Sequence, residues 1–266
     1  MDVTQKFSLG TSLTPEQLTF FNRYGFIHFS NVFSADEVKA IHDSIDKTQA
    51  KLVHEKVEKI NGVPVFYGKN KKGDFIPQRM PFMQRFSEPL KNIVESNRLS
   101  PLQALIPDAR MGYEERDGIV VNHYLNEEGS KAKDLGWHTD ALRDVFYFEK
   151  IRPMLNVGIQ ISPSSNDGGL AIIPGTHEQS VFSILFRKIH FLHSKKDKNE
   201  LIVNVSPGDL TVHDGRMWHC ARTPNSHLGN VRRSIYFPIL CGPQKLKSEN
   251  SKTPFYLRFK PSEKIK

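Results

Sequence analysis

The 266-residue chain is poor in cysteine and has no long apolar run. Its two cysteines, Cys220 and Cys241, allow at most one disulfide bond, which excludes a secreted cysteine framework and favours a reducing compartment. The N-terminus has no basic stretch followed by an apolar run, so no signal peptide is expected. No stretch reaches the roughly 18 apolar residues of a membrane span. The sequence therefore predicts a soluble, cytoplasmic protein.

Basic residues outnumber acidic ones by 37 to 29, which gives a formal net charge of +8 and a pI near 9.4. A basic surface favours anionic partners, namely nucleic acid, acidic lipid headgroups or phosphorylated small molecules. Solubility alone is the alternative explanation for a modest excess of this kind. Because no zinc finger, RNP strand or basic zipper accompanies the charge, no nucleic-acid partner is expected.

The N-terminal part of the chain carries two clear helix starts. Thr14 supplies a capping hydroxyl ahead of a proline, and the glycine Gly25 is the expected end of that helix. Ser34 and Glu37 form a capping box for a second helix that runs to about Val53. A third helix is predicted over residues 89–97. These elements predict a helical layer over residues 1–110.

From about residue 117 short apolar segments recur between glycine, proline, asparagine and serine. This spacing of short strands predicts a sandwich or a small barrel. No internal repeat or long linker divides the chain, so we expect one α+β, mainly β domain over residues 1–266, with a β core at about 111–242 and a basic C-terminal tail. The predicted strands cover residues 118–125, 154–161, 170–173, 200–205, 209–213 and 232–240.

The chemistry is concentrated in Trp137-His138-Thr139-Asp140 and in a distant histidine, His219. Side chains two apart on an extended strand point to the same side, so His138 and Asp140 can act together. Two imidazoles and one carboxylate on one face of a metal are the ligand set of non-haem Fe(II) oxygenases. The alternative is a chance pairing, because the chain has 11 histidines.

The predicted strand after His219, the last predicted ligand, contains two arginines, Arg232 and Arg233. If the strand is regular, only one of the two arginines faces inward, and Arg232 shares its face with Ser234 and Tyr236. An arginine among apolar side chains is costly to bury unpaired, but it fits a dicarboxylate cosubstrate whose far carboxylate meets the guanidinium. The alternative is a pair of surface or salt-bridged arginines.

With these motifs in the expected order, the sequence resembles the phytanoyl-CoA dioxygenase family of Fe(II)/2-oxoglutarate oxygenases. The resemblance implies a double-stranded β-helix (jelly roll) in which His138, Asp140 and His219 bind iron and use O₂. It makes Arg232 the partner of the 2-oxoglutarate C5 carboxylate, and Thr139 and Ser234 candidates for hydrogen bonds to that cosubstrate. The likeness runs through residues 13–17, 24–26, 33–37, 137–140, 169–177, 208–210, 219 and 232.

Two departures from the family pattern affect the assignment. The segment from His219 to Arg232 is longer than in familiar relatives, which leaves Arg232 or Arg233 as the anchor. His213 and Asp214 could each mimic a ligand, but the distance of His219 from Gly208 fits the family, so these two are expected to be lining or surface residues. An intact Asp140 implies hydroxylation, because relatives that halogenate lack this carboxylate.

The substrate is less well marked. Residues 181–198 combine apolar and basic side chains, a composition that suits contact with a membrane interface or with an anionic amphiphile. The alternative is a lid helix that packs its apolar face on the barrel. Family substrates include acyl-CoA, small metabolites and the Kdo sugar of lipopolysaccharide. The charge favours a phosphorylated, lipid-linked substrate, Kdo-lipid A among the candidates, and peripheral contact with the inner face of an anionic membrane. The C-terminal cations, which suit phosphate or a solvated tail, are Lys245, Lys247, Lys252, Arg258, Lys260, Lys264 and Lys266.

Two other classes of function remain open on the sequence alone. One is a catalytically silent jelly-roll module that binds metal and ligand. The other is a metal-dependent hydrolase, for which the sequence offers no convincing general base beside the triad.

Overall fold

The computed structural model describes all residues except 71, 126–134, 147–149, 164–167, 223–230, 243, 255–256, 259–264 and 266. Lys260, Lys264 and Lys266 of the predicted basic tail therefore lie outside the described residues. The helices are α1 Pro15–Tyr24, α2 Ala35–His54, α3 Glu88–Glu95, α4 Leu142–Phe146 and α5 Val181–Phe186, with 3-10 turns at Met83–Arg85, Asn97–Leu105 and Thr176–Glu178. In the part of the chain that the structure describes, no helix is long and apolar enough to cross a membrane.

The strands form two main sheets and one small hairpin. In chain order they are β1 Lys6–Phe7, β2 Phe26–Phe29, β3 Lys59–Ile60, β4 Val63–Pro64, β5 Phe66–Lys69, β6 Phe75–Met80, β7 Ala109–Met111, β8 Val120–Leu125, β9 Leu135–His138, β10 Met154–Gln160, β11 Gly169–Ile172, β12 Leu201–Ile202, β13 Leu210–Asp214, β14 His219–Arg222 and β15 Val231–Cys241. The larger sheet has the order β1-β2-β13-β10-β15-β8-β6-β5, with β7 paired to β15, and the smaller has the order β12-β11-β14-β9. The hairpin is β3-β4.

Both predicted helix starts are confirmed in detail. The Thr14 side chain accepts a hydrogen bond from the Gln17 amide, and α1 ends at Gly25, whose φ of 69° lies in the left-handed region that glycine tolerates. Ser34 forms the expected capping box with Glu37. The N-terminal part is not only helical, however, because it also supplies β1 to β6, and β2 enters the larger sheet beside β13.

Helix α2 covers part of one face of the larger sheet. Ile41 and Ile45 of α2 lie in one buried cluster with Leu155 of β10 and Ile235 of β15. Since side chains alternate along a strand, Arg232, Ser234 and Tyr236 belong to the opposite face, which looks toward the smaller sheet. The space between the two sheets is the cavity described below. The segment predicted as a strand at 200–205 is shorter than expected, since only Leu201–Ile202 pairs as a strand.

Candidate metal centre

The two histidines of the predicted triad face each other across neighbouring strands. β9 pairs antiparallel with β14, and the register places His138 opposite His219, with ring centroids 4.2 Å apart. Asp140 follows β9 in the turn that leads to α4. One ligand atom from each of the three residues lies within 4.8 Å of the other two, so the group could hold a metal ion. The structure thus brings together the three residues that the sequence selected.

Backbone carbonyls fix the orientation of both imidazoles. Nδ1 of His138 lies 2.8 Å from the carbonyl oxygen of Gly136, and Nδ1 of His219 lies 3.0 Å from that of Met217. A carbonyl can only accept, so in the neutral form of each ring, which is the form that binds a metal, Nδ1 carries the proton and Nε2 offers its lone pair. Metal-binding histidines commonly donate the N–H of the other ring nitrogen to a carbonyl or carboxylate in this way.

The carboxylate of Asp140 is held by groups that favour its ionised form. Asn156 donates a hydrogen bond of 3.0 Å to Oδ2, and Arg143 places Nη2 3.8 Å from Oδ1. Burial acts to raise the pKa of Asp140, but the charges of His219 and Arg143 outweigh it and hold the pKa below the usual value. Asp140 is therefore available as an anionic ligand.

The donor set fits iron. Two neutral imidazole nitrogens and one carboxylate oxygen suit Fe(II), and three protein ligands leave coordination positions open. The three residues lie at the wall of a cavity of about 680 Å³ between the sheets. This volume is typical of a small-molecule site, so both a cosubstrate and part of a substrate have room beside the metal.

The two arginines of β15 point in opposite directions, as the alternation predicted. Arg233 reaches the helix side, where it donates to Asp46 and, at 3.2 Å, to Nδ1 of His42. The guanidinium of Arg232 instead lies 4.3 Å from the centre of the Tyr124 ring, which lines the cavity. The alternative of surface or salt-bridged arginines therefore holds for Arg233, which is salt-bridged to Asp46, whereas Arg232 lies over the Tyr124 ring.

Three polar atoms at the predicted cosubstrate residues are buried and lack a hydrogen-bond partner in the described part of the chain. They are Nε of Arg232, Oγ1 of Thr139 and Oγ of Ser234. Buried polar atoms are nearly always paired, so the unpaired atoms on the inner face of β15 and at Thr139 beside the metal ligands suit a bound polar ligand. A dicarboxylate offers the acceptors that these donors lack.

His213 lines the cavity, whereas the sequence left open whether it is a lining or a surface residue. It is fully buried, and its ring centroid lies 4.5 Å from that of His219. Burial, and then the neighbouring His219 charge, lower the pKa of His213 to about 3, so the ring is neutral. Asp214 is buried as well and pairs with Arg216 at 2.6 Å. Neither residue belongs to the surface, which removes one of the two expectations for them.

A group of three arginines forms one wall of the cavity, and the sequence did not single it out. Arg79 pairs with Asp117 at 2.7 Å, and Arg143 lies 3.7 Å from the same carboxylate. Arg116, which is buried, pairs with Asp144 at 2.7 Å. We call Arg79, Arg116 and Arg143 the cationic wall.

The family model described as phytanoyl-CoA dioxygenase (PhyH) matches residues 21–232. No curated protein matches the chain.

Solved structures share the fold at low sequence identity. EvdO2 from Micromonospora carbonacea var. aurantiaca, complexed with 2-oxoglutarate, is 15% identical with a TM-score of 0.60, covering 92% of this chain and 96% of that chain. HygX from Streptomyces hygroscopicus, with nickel and 2-oxoglutarate bound, is 16% identical with a TM-score of 0.61, covering 86% and 88%. The epimerase SnoN from nogalamycin biosynthesis, described as non-heme and alpha ketoglutarate dependent, is 16% identical with a TM-score of 0.60, covering 92% and 88%. The predicted fold class, a mainly β jelly roll with helices, is confirmed.

Proposed function

Because the chain belongs to the phytanoyl-CoA dioxygenase family of iron- and 2-oxoglutarate-dependent enzymes, we propose that it hydroxylates an unactivated C–H bond of an anionic, phosphorylated or lipid-linked substrate. The observation that carries the proposal is the convergence of His138, Asp140 and His219 at the wall of one cavity. The candidate substrates are the Kdo sugar of lipopolysaccharide or lipid A, and acyl-CoA. The candidate location is the cytoplasmic face of a membrane.

In this proposal His138 and His219 hold Fe(II) through Nε2, and Asp140 holds it through its carboxylate. When bound, iron with 2-oxoglutarate and O₂ supplies the oxidising power to replace C–H by C–OH, with release of succinate and CO₂. The chain's own contribution is orientation: carbonyls fix the imidazole rings, and Asn156 fixes the carboxylate.

We assign the cosubstrate's far carboxylate to Arg232, with Ser234 and Thr139 as further donors. The support is that these residues carry the buried polar atoms without partners, while Arg233 is already engaged by Asp46. A guanidinium suits this role because its planar fork matches a carboxylate.

The anionic character of the substrate is supported by the cationic wall. Three guanidinium groups face the carboxylates of Asp117 and Asp144, and Asp140 is committed to the metal. Nη1 of Arg79 is buried and has no hydrogen-bond partner in the described part of the chain. Lys247 is a further cation on this side: burial lowers its pKa, Asp117 acts to raise it, and the charges of Lys245 and Arg143 lower it. A phosphate or carboxylate on the substrate would relieve this concentration of positive charge.

Many of the remaining lining residues are apolar, which suits the lipid-like part of an amphiphile. They come from both sheets, from α4, from the segment after α5 and from the C-terminal segment: Val120, Leu135, Leu142, Leu170, Phe191, Leu192, Ala221 and Leu257.

The test is succinate formation by purified protein supplied with Fe(II), 2-oxoglutarate and O₂. A panel of lipid A precursors bearing Kdo, acyl-CoA, sugar phosphates and neutral sugars is expected to give the largest stimulation with an anionic member. His138→Ala and Asp140→Ala are expected to lower succinate formation by more than about 100-fold, since even outer-shell changes at metal sites cost 10–100-fold.

The matched control is His54→Ala, which removes an exposed histidine of α2 and is expected to leave the rate unchanged. Rates like those of the wild type in both ligand variants would exclude the proposed centre. Binding of 2-oxoglutarate without succinate formation for every member of the panel would favour a ligand-binding module instead.

A further inference from the structure

The segment 181–192 concentrates exposed apolar side chains. Of the eight large apolar side chains exposed in the described part of the chain, six lie within these twelve residues. Leu192 is 81% exposed, Phe182 71%, and Phe186 and Ile189 67% each. Single exposed apolar residues are ordinary, but a contiguous group marks an interaction site. We call Phe182, Phe186, Ile189 and Leu192 the apolar ridge.

The ridge is displayed by a segment that is firmly attached on its inner side. Ser180 caps α5 by accepting from the Ser183 amide at 3.2 Å, and Ile184 is buried. The ring of His190 lies 4.5 Å from that of Trp218, whose indole nitrogen donates to the Ser183 carbonyl at 3.3 Å. The expected lid helix that packs its apolar face on the barrel is therefore only partly realised, because α5 turns one apolar residue inward and leaves the phenylalanines in solvent.

The same segment reaches the metal centre. The ring of Phe191 stacks on His138 with centroids 4.6 Å apart, and both Phe191 and Leu192 line the cavity. Backbone hydrogen bonds of 2.9 Å join Phe191 to Trp137 and Trp137 to His193. The apolar ridge is thus continuous with the entrance of the cavity.

Positive charge flanks the ridge. Residues 187–198 contain five basic residues and one acidic residue, Asp197, which pairs with Lys188 at 2.7 Å. The remaining four cations, all exposed, are Arg187, Lys195, Lys196 and Lys198. Aromatic and aliphatic side chains beside exposed lysines are the pattern of peripheral membrane-binding surfaces, because the rings enter the acyl boundary while the cations meet anionic headgroups.

We propose that the apolar ridge and its flanking cations dock on an anionic lipid bilayer and hold the entrance of the cavity at the headgroup level. This inference rests on the proposed function in one respect, the lipid-linked substrate, which could then enter the cavity without leaving the membrane. The charge complementarity and the continuity of the ridge with the entrance favour a bilayer over a protein partner.

The experiment is flotation of the full-length protein with vesicles of phosphatidylcholine alone or mixed with phosphatidylglycerol. The wild type is expected to float with the mixed vesicles and much less with phosphatidylcholine. The double variant Phe182→Ser/Phe186→Ser is expected to lose about tenfold or more of this partitioning, since each ring contributes apolar area to burial. Lys195→Gln/Lys196→Gln/Lys198→Gln is expected to lose the preference for phosphatidylglycerol.

The matched control is Leu246→Ser, which removes a side chain that is 66% exposed but lies outside the ridge; it should float like the wild type. Equal flotation of wild type and Phe182→Ser/Phe186→Ser would overturn the proposal. A dimer in analytical ultracentrifugation that this double variant abolishes would also overturn it, by assigning the ridge to a second copy of the chain.

Succinate formation in the absence of vesicles separates this inference from the proposed function. The ridge variants leave the cavity's metal ligands in place, so their basal succinate formation should equal that of the wild type. Flotation without any succinate formation would defeat the proposed function alone, whereas succinate formation without flotation would defeat only the docking surface.

Discussion

The buried imidazole of His213 lies beside that of His219, with ring centroids 4.5 Å apart, and neither ring nitrogen of His213 has a hydrogen-bond partner among the described residues. A buried polar group without a partner costs free energy of folding. Because His213 is neutral and lines the cavity, its unpaired ring nitrogens are suited to form hydrogen bonds with a ligand bound there.

Replacing His213 by phenylalanine is therefore expected to separate stability from activity. The change keeps an aromatic ring but removes both nitrogens, so the free energy of unfolding should rise by about 1 kcal/mol. Succinate formation should fall by about tenfold, because the bound 2-oxoglutarate or substrate loses a hydrogen bond worth about 1.4 kcal/mol. Urea unfolding and steady-state kinetics measure the two effects.

His123→Phe is the matched control. His123 is also buried, and burial also lowers its pKa to about 3, but it pairs in register with Arg233 and does not line the cavity. Its replacement should leave the rate unchanged. A loss of both stability and activity in His213→Phe would indicate a structural role for this ring.

Arg232 and Arg233 allow a direct comparison on adjacent positions of one strand. Arg232→Gln is expected to raise KM for 2-oxoglutarate by about 10–100-fold, since a charge-assisted hydrogen bond contributes about 1.5–3 kcal/mol. Arg233→Gln removes the contact with Asp46 on the helix side and should leave KM unchanged. The opposite pattern, with the larger effect in Arg233→Gln, would reverse the assignment.

The local part of the site could be predicted from the sequence. The short spacing of His138 and Asp140 is enough to keep them together, although Asp140 lies in the turn after β9 and not on the strand, and the strand after Gly208 leads to His219. The same holds for the capping boxes at Thr14 and Ser34, which depend on residues three apart. These features require no knowledge of how distant segments pair.

The cavity walls could not be predicted, because they depend on strand pairing. Arg79 reaches the cavity because β6 pairs with β8 and places it opposite Asn122. Arg116 comes from a turn and Arg143 from the five-residue helix α4, and neither is long enough for periodicity to give a direction. His213 was ambiguous for a related reason: its neighbour Asp214 is equally polar, so polarity alone could not say which faces inward.

A lid helix packed on the barrel was one of the two interpretations of the apolar segment after residue 180, but α5 ends at Phe186 after less than two turns. So short a helix has room for one inward residue, Ile184, and the remaining apolar side chains stay exposed. Sequence periodicity could not predict that the helix ends here, because the next residue, Arg187, does not break helices.

Arg79 offers a test of the cationic wall. Arg79→Gln is expected to raise KM for an anionic substrate by at least about tenfold through loss of a charge-assisted contact, while succinate formation without substrate stays unchanged. Arg79→Lys should recover part of the affinity, which a merely structural effect on Asp117 would not explain. The matched control is Arg98→Gln, which breaks an exposed pair with Glu37; an equal rise of KM in this control would contradict the assignment.

Asp209 gives the fold a pH dependence of known sign. Its buried carboxylate accepts hydrogen bonds from the amides of Ser206 and Asn31 and contacts His28 at 2.9 Å. Burial acts to raise the pKa of Asp209, but the bonds to His28 and the two amides outweigh it and lower the pKa. A depressed pKa stabilises the fold above the unfolded value of about 3.9 and loses this contribution as the pH falls toward the folded value.

Asp209→Asn is accordingly expected to lower the free energy of unfolding by about 2–4 kcal/mol near pH 7, through loss of charged hydrogen bonds in a buried site. Because asparagine does not titrate, the difference from the wild type should shrink as the pH falls below about 4. Urea unfolding at a series of pH values measures this difference. The control is Asp43→Asn, which changes an exposed helical pair with Lys39 and should leave the free energy of unfolding unchanged. If Asp209→Asn lowered the free energy of unfolding by the same amount at every pH, the link between the Asp209 pKa and stability would be contradicted.

Gly136 controls how closely the segment that carries Phe191 can approach β9. A Cβ at this position would lie 2.4 Å from the carbonyl oxygen of Phe191 and 3.2 Å from that of His193, so Gly136→Ala must push the segment away. Backbone atoms cannot yield as a flexible side chain does, and the hydrogen bond from Phe191 to the Trp137 carbonyl should weaken. The Phe191 amide is therefore expected to exchange hydrogen at least about tenfold faster, which corresponds to about 1.4 kcal/mol of lost protection. The control is Gly10→Ala, where the atom nearest to an added Cβ is 3.4 Å away; it should leave hydrogen exchange at the Phe191 amide unchanged. Unaltered exchange in Gly136→Ala would show that the close approach at Gly136 does not hold Phe191 over His138.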